Sequence, residues 1–409
     1  MKTKPIQQNA NSGWRDLRLG AIATLTSSKR VYLSDYVKIG IPFYRGKEIS
    51  QLKRNENIED LLYISNEAFR IFKAKYGAPK FDDILITAVG TLGNIYRVAN
   101  NEPFYFKDGN LIWLRDIKES SNFVEYLLSF EKNKLLNSAI GSNQKALTII
   151  ALNKIKLSFP PLPEQNRIVS VLETWDKAIE KLTKKIEVKK QIKQGLMQNL
   201  LTGKIRLSGF RDKWKIVKLC DIAINLDNKR VPLNSEDRDK RRGDIPYCGA
   251  NGVVDYIDDY IFDEDIILVA EDGGQFDEYK TRPIAYRMKC KCWVNNHAHV
   301  VKAKETFSQD LLFYLTVHKD ILQYLNGGTR AKLNKSELLK IKYFISTDKE
   351  EQKAIANILT TTDNEINKLD HKLSLFKEQK KYLLNNLITG KIRTTVNMAN
   401  SPQLKIGPT

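Results

Sequence analysis

A segment of about 40 residues occurs twice in this chain, with no insertion or deletion between the copies. The first copy runs from Pro163-Glu164-Gln165-Asn166-Arg167-Ile168 to Leu200-Leu201-Thr202-Gly203-Lys204-Ile205-Arg206. The second runs from Glu351-Gln352-Lys353-Ala354-Ile355 to Leu387-Ile388-Thr389-Gly390-Lys391-Ile392-Arg393. Gln165 aligns with Gln352 and Gly203 with Gly390, both at an offset of 187. A repeat of fixed length behaves as a spacer, and two spacers imply two copies of something else.

Apolar residues in the first copy fall at Ile168, Leu172, Trp175, Ile179, Leu182 and Ile186, in alternating steps of four and three. That spacing predicts a long helix with a heptad seam, the pattern of a coiled coil. In the second copy the seam is Ile355, Leu359, Thr362, Ile366, Leu369, Leu373, Phe376, Lys380, Leu383 and Leu387. Lys193 and Lys380 occupy the same seam position, where a polar residue weakens packing but fixes register and partner. Pro160, Pro161 and Pro163 suit a helix start. Gly203 and Gly390 suit the left-handed residue that ends one. From residue 164 to 201, at about 1.5 Å per residue, each helix extends about 57 Å. The second copy lacks the prolines, and Thr347 with Glu350, or Asp348 with Glu351, offers a capping box instead.

The remainder falls into two units of short strands, turns and a few helices, the α+β class. In the first, Ile41-Pro42-Phe43-Tyr44, the run from Asp83 to Val89, and Asn110-Leu111-Ile112-Trp113-Leu114 carry strand signals. Ser121 to Leu135 has helical spacing. The second unit echoes this frame. Trp214 and Ile222 parallel Trp14 and Ile22, Ile245-Pro246 parallels Ile41-Pro42, and the run from Asp265 to Ala270 parallels that from Asp83 to Ala88. Each of those runs leads into a glycine turn, Gly90 to Gly93 and Gly273-Gly274. Gly141, Gln144, Leu147, Leu152 and Ile155 match Gly327, Arg330, Leu333, Leu338 and Ile341. Between these anchors the two units differ almost completely, as one fold aimed at two targets would. The expected division is 1–160, a first variable domain; 161–207, a first spacer helix; 208–346, a second variable domain; 347–394, a second spacer helix; and 395–409, a disordered polar tail.

With 409 residues, 42% hydrophobic and 28% charged, the chain has the composition of globular domains. Its formal charge of +19 points to a polyanion, with nucleic acid the first candidate. Four cysteines are no disulfide framework and fit a reducing cytosol. The first residues lack the apolar stretch of a signal peptide, and no apolar run is long enough to span a bilayer, so a cytoplasmic protein without membrane partners is expected.

Catalytic chemistry is hard to find. Ser158-Phe159-Pro160-Pro161-Leu162 lacks the polar residue and the aromatic that flank the prolines of a DNA amino-methyltransferase. Gly90-Thr91-Leu92-Gly93 lacks the third glycine of a dinucleotide loop. Asp265 with Glu278-Tyr279-Lys280 loosely resembles a nuclease cluster, and the first unit has no equivalent. Cys290 and Cys292 with His297 and His299 form a metal-like group, but the Cys-x-Cys spacing is tighter than zinc sites use. No catalytic residue and no metal site is assigned.

Glu-Gln-x-x-Ile, a long helix and Leu-x-x-Gly-Lys-Ile-Arg, twice, alternating with two variable units, closely resembles the specificity subunit of type I restriction–modification systems. The resemblance covers nearly the whole chain and departs only at Lys349-Glu350-Glu351-Gln352, where the Pro-Leu-Pro of the first copy is missing. It implies two target-recognition domains, each reading one half of a split site in double-stranded DNA. It implies that the two long helices lie antiparallel as a coiled coil, with pseudo-two-fold symmetry, and set the gap between the halves. It further implies a non-catalytic subunit that docks two modification and two restriction subunits. S-adenosylmethionine, ATP and magnesium would then belong to those partners, and this chain would hold no cofactor.

Base readers are expected in the glycine-rich turns and at the exits of the variable units. They are Arg45, Lys47, Thr91, Asn94, Gln144 and Lys145 in the first, and Gln275, Asn295, Asn296, His297, Arg330 and Lys332 in the second. Arginine and lysine suit guanine, and asparagine and glutamine suit adenine, because their donors and acceptors match those base edges. Two other readings compete: a self-contained restriction and modification enzyme, and a coiled-coil scaffold that binds no DNA.

Overall fold

The computed structural model describes residues 13–54, 56–141, 145–327 and 331–394. Gln144, Arg330, the first residues of the chain and the tail 395–409 lie outside them. The chain separates into two compact units, Met1–Lys181 with Leu373–Thr409, and Leu182–Lys372. Both repeats are long helices, Leu162–Leu200 and Lys349–Ile388. The division cuts each of them, so each unit holds one variable domain, the start of one helix and the end of the other.

In the first unit an antiparallel sheet has the order Thr24–Thr26, Leu111–Arg115, Ile84–Thr87, Ile95–Arg97. Ile84, Leu85, Ile86 and Thr87 are all buried, which is why this strand reads as a continuous apolar run. A second sheet, Tyr36–Val37, Leu62–Ile64, Ile41–Tyr44, Tyr105–Phe106, ends on a parallel pair. Arg15–Arg18 pairs with Lys156–Phe159, so the two ends of the variable domain meet beside the helix start. The predicted helix from Ser121 to Leu135 forms as two, Ser121–Phe130 and Lys132–Asn137, broken at Glu131.

The second unit repeats this plan. Ala223–Asn225, Ala298–Ala303, Ile266–Ala270 and Ala285–Met288 form the matching sheet. Arg242–Gly249 pairs in parallel with Trp293–Val294, and Trp214–Lys218 pairs antiparallel with Lys342–Ser346. The matched exits are buried in both units: Leu147, Leu152 and Ile155, and Leu333, Leu338 and Ile341.

Within each unit the helix start and helix end run antiparallel. Ile168, Leu172, Trp175, Leu182, Ile186, Ile355, Leu359 and Ile366 are buried, and Ile179, Leu369, Leu373, Phe376 and both seam lysines are half-buried. In the first unit the Trp175 and Phe376 rings meet edge-on, with centroids 5.3 Å apart. The seam lysines have defined partners. In the first unit Lys380 pairs with Asp176, which also accepts the Tyr126 hydroxyl at 2.7 Å. In the second, Lys193 pairs with Asp363 at 2.6 Å, and Asp363 accepts the Tyr314 hydroxyl at 2.7 Å. Each node ties two helices and one variable domain to a single carboxylate. Burial and that carboxylate both push the Tyr126 phenol upward.

The repeated motifs meet across copies. In the first unit Arg393 grips Glu164 with two bonds of 2.8 Å. In the second, Arg206 grips Glu351 at 2.6 and 2.7 Å, and the Trp214 indole donates to the same carboxylate at 3.1 Å. Burial alone would raise both carboxyls, but the arginine bonds outweigh it and hold them below the usual range. The glutamines face the variable domains. Gln165 bonds the Pro160 carbonyl and the Ser120 amide, and Gln352 bonds the Ser346 carbonyl. Glu351 therefore does not close a capping box. Asp348 alone caps the second helix, accepting from the amides of Glu350 and Glu351 at 2.7 and 3.3 Å. Gly203 and Gly390 have φ of 70° and 69°, the left-handed helix end the sequence predicts.

Candidate nucleic-acid interface

In the first unit the turn after the central strand is built on a buried hydroxyl. Thr87 donates to the Thr91 carbonyl and accepts the Asn94 amide at 2.9 Å, and Gly93 donates to the Thr87 carbonyl at 2.8 Å. Gly90 has φ +77° and nothing within 4 Å of where a Cβ would stand. The turn thus projects into open space, over a cleft of ≈ 700 Å³ lined by Arg45, Lys47, Ser50, Arg54, Thr91 and Asn110 among others.

Arg45 is oriented, not loose. It stands at the N-terminus of helix Gly46–Lys53, and its Nε and Nη2 bond Glu48 at 3.1 and 2.6 Å. Burial would raise the Glu48 carboxyl, but the Arg45 guanidinium and backbone amides hold it below the usual range. A guanidinium gripped on its Nε side keeps Nη1 and one Nη2 hydrogen at its far end. That end is the one that meets O6 and N7 of guanine.

Of the expected readers, the structure brings Arg45, Lys47 and Thr91 together in this cleft. Asn94 sits behind it as a brace, donating to Ser50 at 2.7 Å and accepting from Lys132 at 3.3 Å. Lys145 is exposed at the exit of the unit. Arg54 and Asn110 were not foreseen. Asn110 follows the turn residue Gly109 and precedes the strand Leu111–Arg115, a position the strand pattern alone marks.

In the second unit the residues 271–275, 295–297 and 331–332 gather at one edge. His297 Nδ1 lies 2.7 Å from Asp272, Lys332 pairs with Glu271 at 3.1 Å, and Asn251 donates to the Gly273 carbonyl at 2.9 Å. Asn296 and His297 are exposed. Gln275 accepts from Arg282. Asn295 is 8% exposed and accepts the His297 amide at 2.8 Å, a turn-forming role that faces inward.

Beneath this edge Asp227, Glu271 and His299 stand within 4.8 Å of one another, the single group with metal-ligand spacing among the described residues. Its donor set does not fit a metal. His299 Nδ1 lies 2.6 Å from Asp227 and Nε2 2.7 Å from the Leu333 carbonyl, so both ring nitrogens are committed. Arg230 already neutralises the carboxylates, 2.8 Å from Glu271 and 3.5 Å from Asp227. Burial would raise Asp227, but bonds from His299 and the Val300 amide hold it low. The cysteines take no part: Cys292 is buried with Cys248 and Phe262, and Cys290 is exposed. Asp265 and Glu278 are committed to Arg287 and Arg282.

Residues 11–190 and 211–375 match the type I restriction modification DNA specificity domain, once for each variable unit. The chain belongs to this family. A protein of Methanocaldococcus jannaschii named as the MjaX type I restriction enzyme specificity subunit is 26% identical over 396 residues, 87% of this chain and 88% of that one. One of Haemophilus influenzae, named as a type I restriction enzyme specificity subunit, is 35% identical over 168 residues, 41% of each chain. The fold is that of the type I restriction–modification S subunit from M. genitalium, with TM-score 0.63 and 16% identity over 94% of this chain and 98% of that one. A chain from a study of complex assembly and conformational transition in the type I system aligns at TM-score 0.55 and 15% identity, over 96% and 100%. No helix among the described residues is long and apolar enough to cross a membrane.

Proposed function

We propose that this chain is the DNA-reading subunit of a type I restriction–modification enzyme, with each unit contacting one half of a split double-stranded site. The cationic cleft beneath the Gly90 turn supports this reading most directly. It offers an end-on arginine, an exposed lysine and two polar side chains over an open space, with Asp60 the one carboxylate in its lining. Arg45 is the residue we assign to a guanine edge, and Lys47 and Arg54 to phosphates. In the second unit Asn296, His297 and Lys332 form the corresponding edge. Methyl transfer, ATP hydrolysis and cleavage, with their S-adenosylmethionine, ATP and magnesium, are assigned to two modification and two restriction subunits in the cytoplasm.

The test is to map methylated bases in cells that carry this system alone. A split motif with a constant gap is the expected result, and Arg45→Ala relaxes one position of one half. Methylation at a continuous site, or an Arg45→Ala motif identical to that of the parent, refutes the assignment. Cleavage by the purified chain on its own would establish the single-chain enzyme instead.

A further inference from the structure

The cleft beneath the Gly90 turn holds one carboxylate among its cations. Asp60 lines it together with Arg45, Lys47 and Arg54. It is exposed, and among the described residues it takes no hydrogen bond or ion pair. Other acids at the candidate readers are paired: Glu48 with Arg45, Glu56 with Arg54, Asp272 with His297 and Glu271 with Lys332.

The place of Asp60 is set from two sides. The strands Ile41–Tyr44 and Leu62–Ile64 are antiparallel, with Ile41 opposite Ile64 and Phe43 opposite Leu62. Arg45 keeps extended backbone, φ −100° and ψ −179°. Carrying the register on by two residues sets Asp60 opposite Arg45, and because side chains alternate along a strand the two share a face. On its other side the loop is tied to the end of helix Gly46–Lys53. There the Glu56 amide donates to the Gln51 carbonyl at 3.0 Å, and the Gln51 side-chain amide to the Asn57 carbonyl at 3.4 Å. Opposite charges across a strand pair ordinarily serve each other. Here Glu48 holds the guanidinium instead, at 2.6 Å, and the Asp60 oxygens keep their acceptor capacity.

A carboxylate in a cationic cleft repels phosphate and works against non-specific attraction. What it can take from DNA is a donor. In the major groove the base donors are the amino groups at cytosine N4 and adenine N6. A G·C pair presents guanine N7, guanine O6 and cytosine N4 in a row, two acceptors and then a donor. An arginine beside an aspartate is the complement of that row. With the pair reversed, the carboxylate would meet a guanine acceptor and the guanidinium the cytosine amino group.

We infer that Asp60 accepts a hydrogen bond from N4 of the cytosine paired with the guanine that Arg45 reads, so that the two side chains fix both the identity and the direction of one base pair. The inference rests on the DNA-reading function proposed above.

The test uses the full-length chain in complex with its modification subunits and duplexes carrying the methylation motif of the parent. The base pair relaxed by Arg45→Ala marks the position, and it is G·C. Replacing its cytosine by 2-pyrimidinone, which is cytosine without the 4-amino group, weakens parent binding about tenfold. The same replacement changes binding by Asp60→Ala little. Asp60→Ala also moves two affinities apart: the motif is bound about tenfold more weakly, and unrelated DNA more tightly because the repulsion is gone. Weaker binding to both makes Asp60 a structural residue, and tighter binding to both makes it a repulsive charge alone; either overturns the inference. So does a 2-pyrimidinone effect of equal size in parent and variant, or an Arg45→Ala position that is not G·C. A parent complex without sequence-selective binding overturns the DNA-reading function as well.

Discussion

Arg393→Leu tests the cross-copy clamp that closes the first unit. Arg393 meets both oxygens of Glu164 at 2.8 Å, and the Glu164 side chain is 5% exposed against 27% for Arg393. Removing the arginine strands a carboxylate in the interior with the Thr394 amide, 3.3 Å away, among its remaining donors. Breaking a buried pair costs about 3–5 kcal/mol. Because Arg393 is partly exposed, water reaches the vacated side, and about 2–4 kcal/mol is the expected loss. For a unit of about 220 residues this lowers the melting temperature by roughly 4–16 °C. Calorimetry of the parent, Glu164→Leu, Arg393→Leu and Glu164→Leu/Arg393→Leu makes the comparison, and the double variant loses less than the arginine variant alone. The pH dependence has a definite sign. The Glu164 carboxyl is held low in the folded state, so the pair's contribution is complete above the unfolded carboxylate value of about 4.3. It is lost as pH falls through the lower folded value, where parent and variant converge. A loss below about 1 kcal/mol, additive single changes, or a difference that persists at strongly acid pH would refute this account.

Tyr126→Phe and Tyr314→Phe each remove a hydroxyl bond to a carboxylate that also holds a seam lysine. Each is expected to cost about 1.5–3 kcal/mol, read in thermal melts, by an amount similar in the two units. Arg230→Met leaves Asp227 and Glu271 without their shared cation. A loss of about 3–5 kcal/mol in urea denaturation is expected, with no rescue by added zinc. In DNA titrations, Lys47→Ala weakens all sequences alike and flattens the salt slope by about 1. Arg45→Ala instead costs about 1–3 kcal/mol on the preferred sequence and little on others.

The helices were legible because a heptad seam is a local pattern, and burial of Ile168, Leu172, Ile355 and Leu359 follows from it. The strand runs were legible for the same reason. Contacts between distant residues were not, since Tyr126 and Asp176 carry no periodic mark. Alignment of the repeats would still have flagged Asp176 and Asp363, at the same offset of 187 as Lys193 and Lys380. Among the site residues, turn position alone picked out Arg45, Lys47 and Thr91 at the cleft. It also picked out Asn94, whose side chain bonds Ser50 and Lys132, and Asn295, which spends its side chain on its own turn, as asparagine often does. The acidic partners that orient Arg45 and fill the space around His299 could not be inferred without the fold.

In sequence, the second unit is the inner one, an unbroken stretch Leu182–Lys372 flanked on both sides by parts of the first. A ribosome therefore finishes the inner unit while the outer one still lacks its last helix half. Synthesis that stops just before Leu373 would deliver the inner unit whole. The outer one would lack Leu383, Leu387 and Ile388 from its core and Arg393 from its clamp. The first unit, begun before the second, is completed after it.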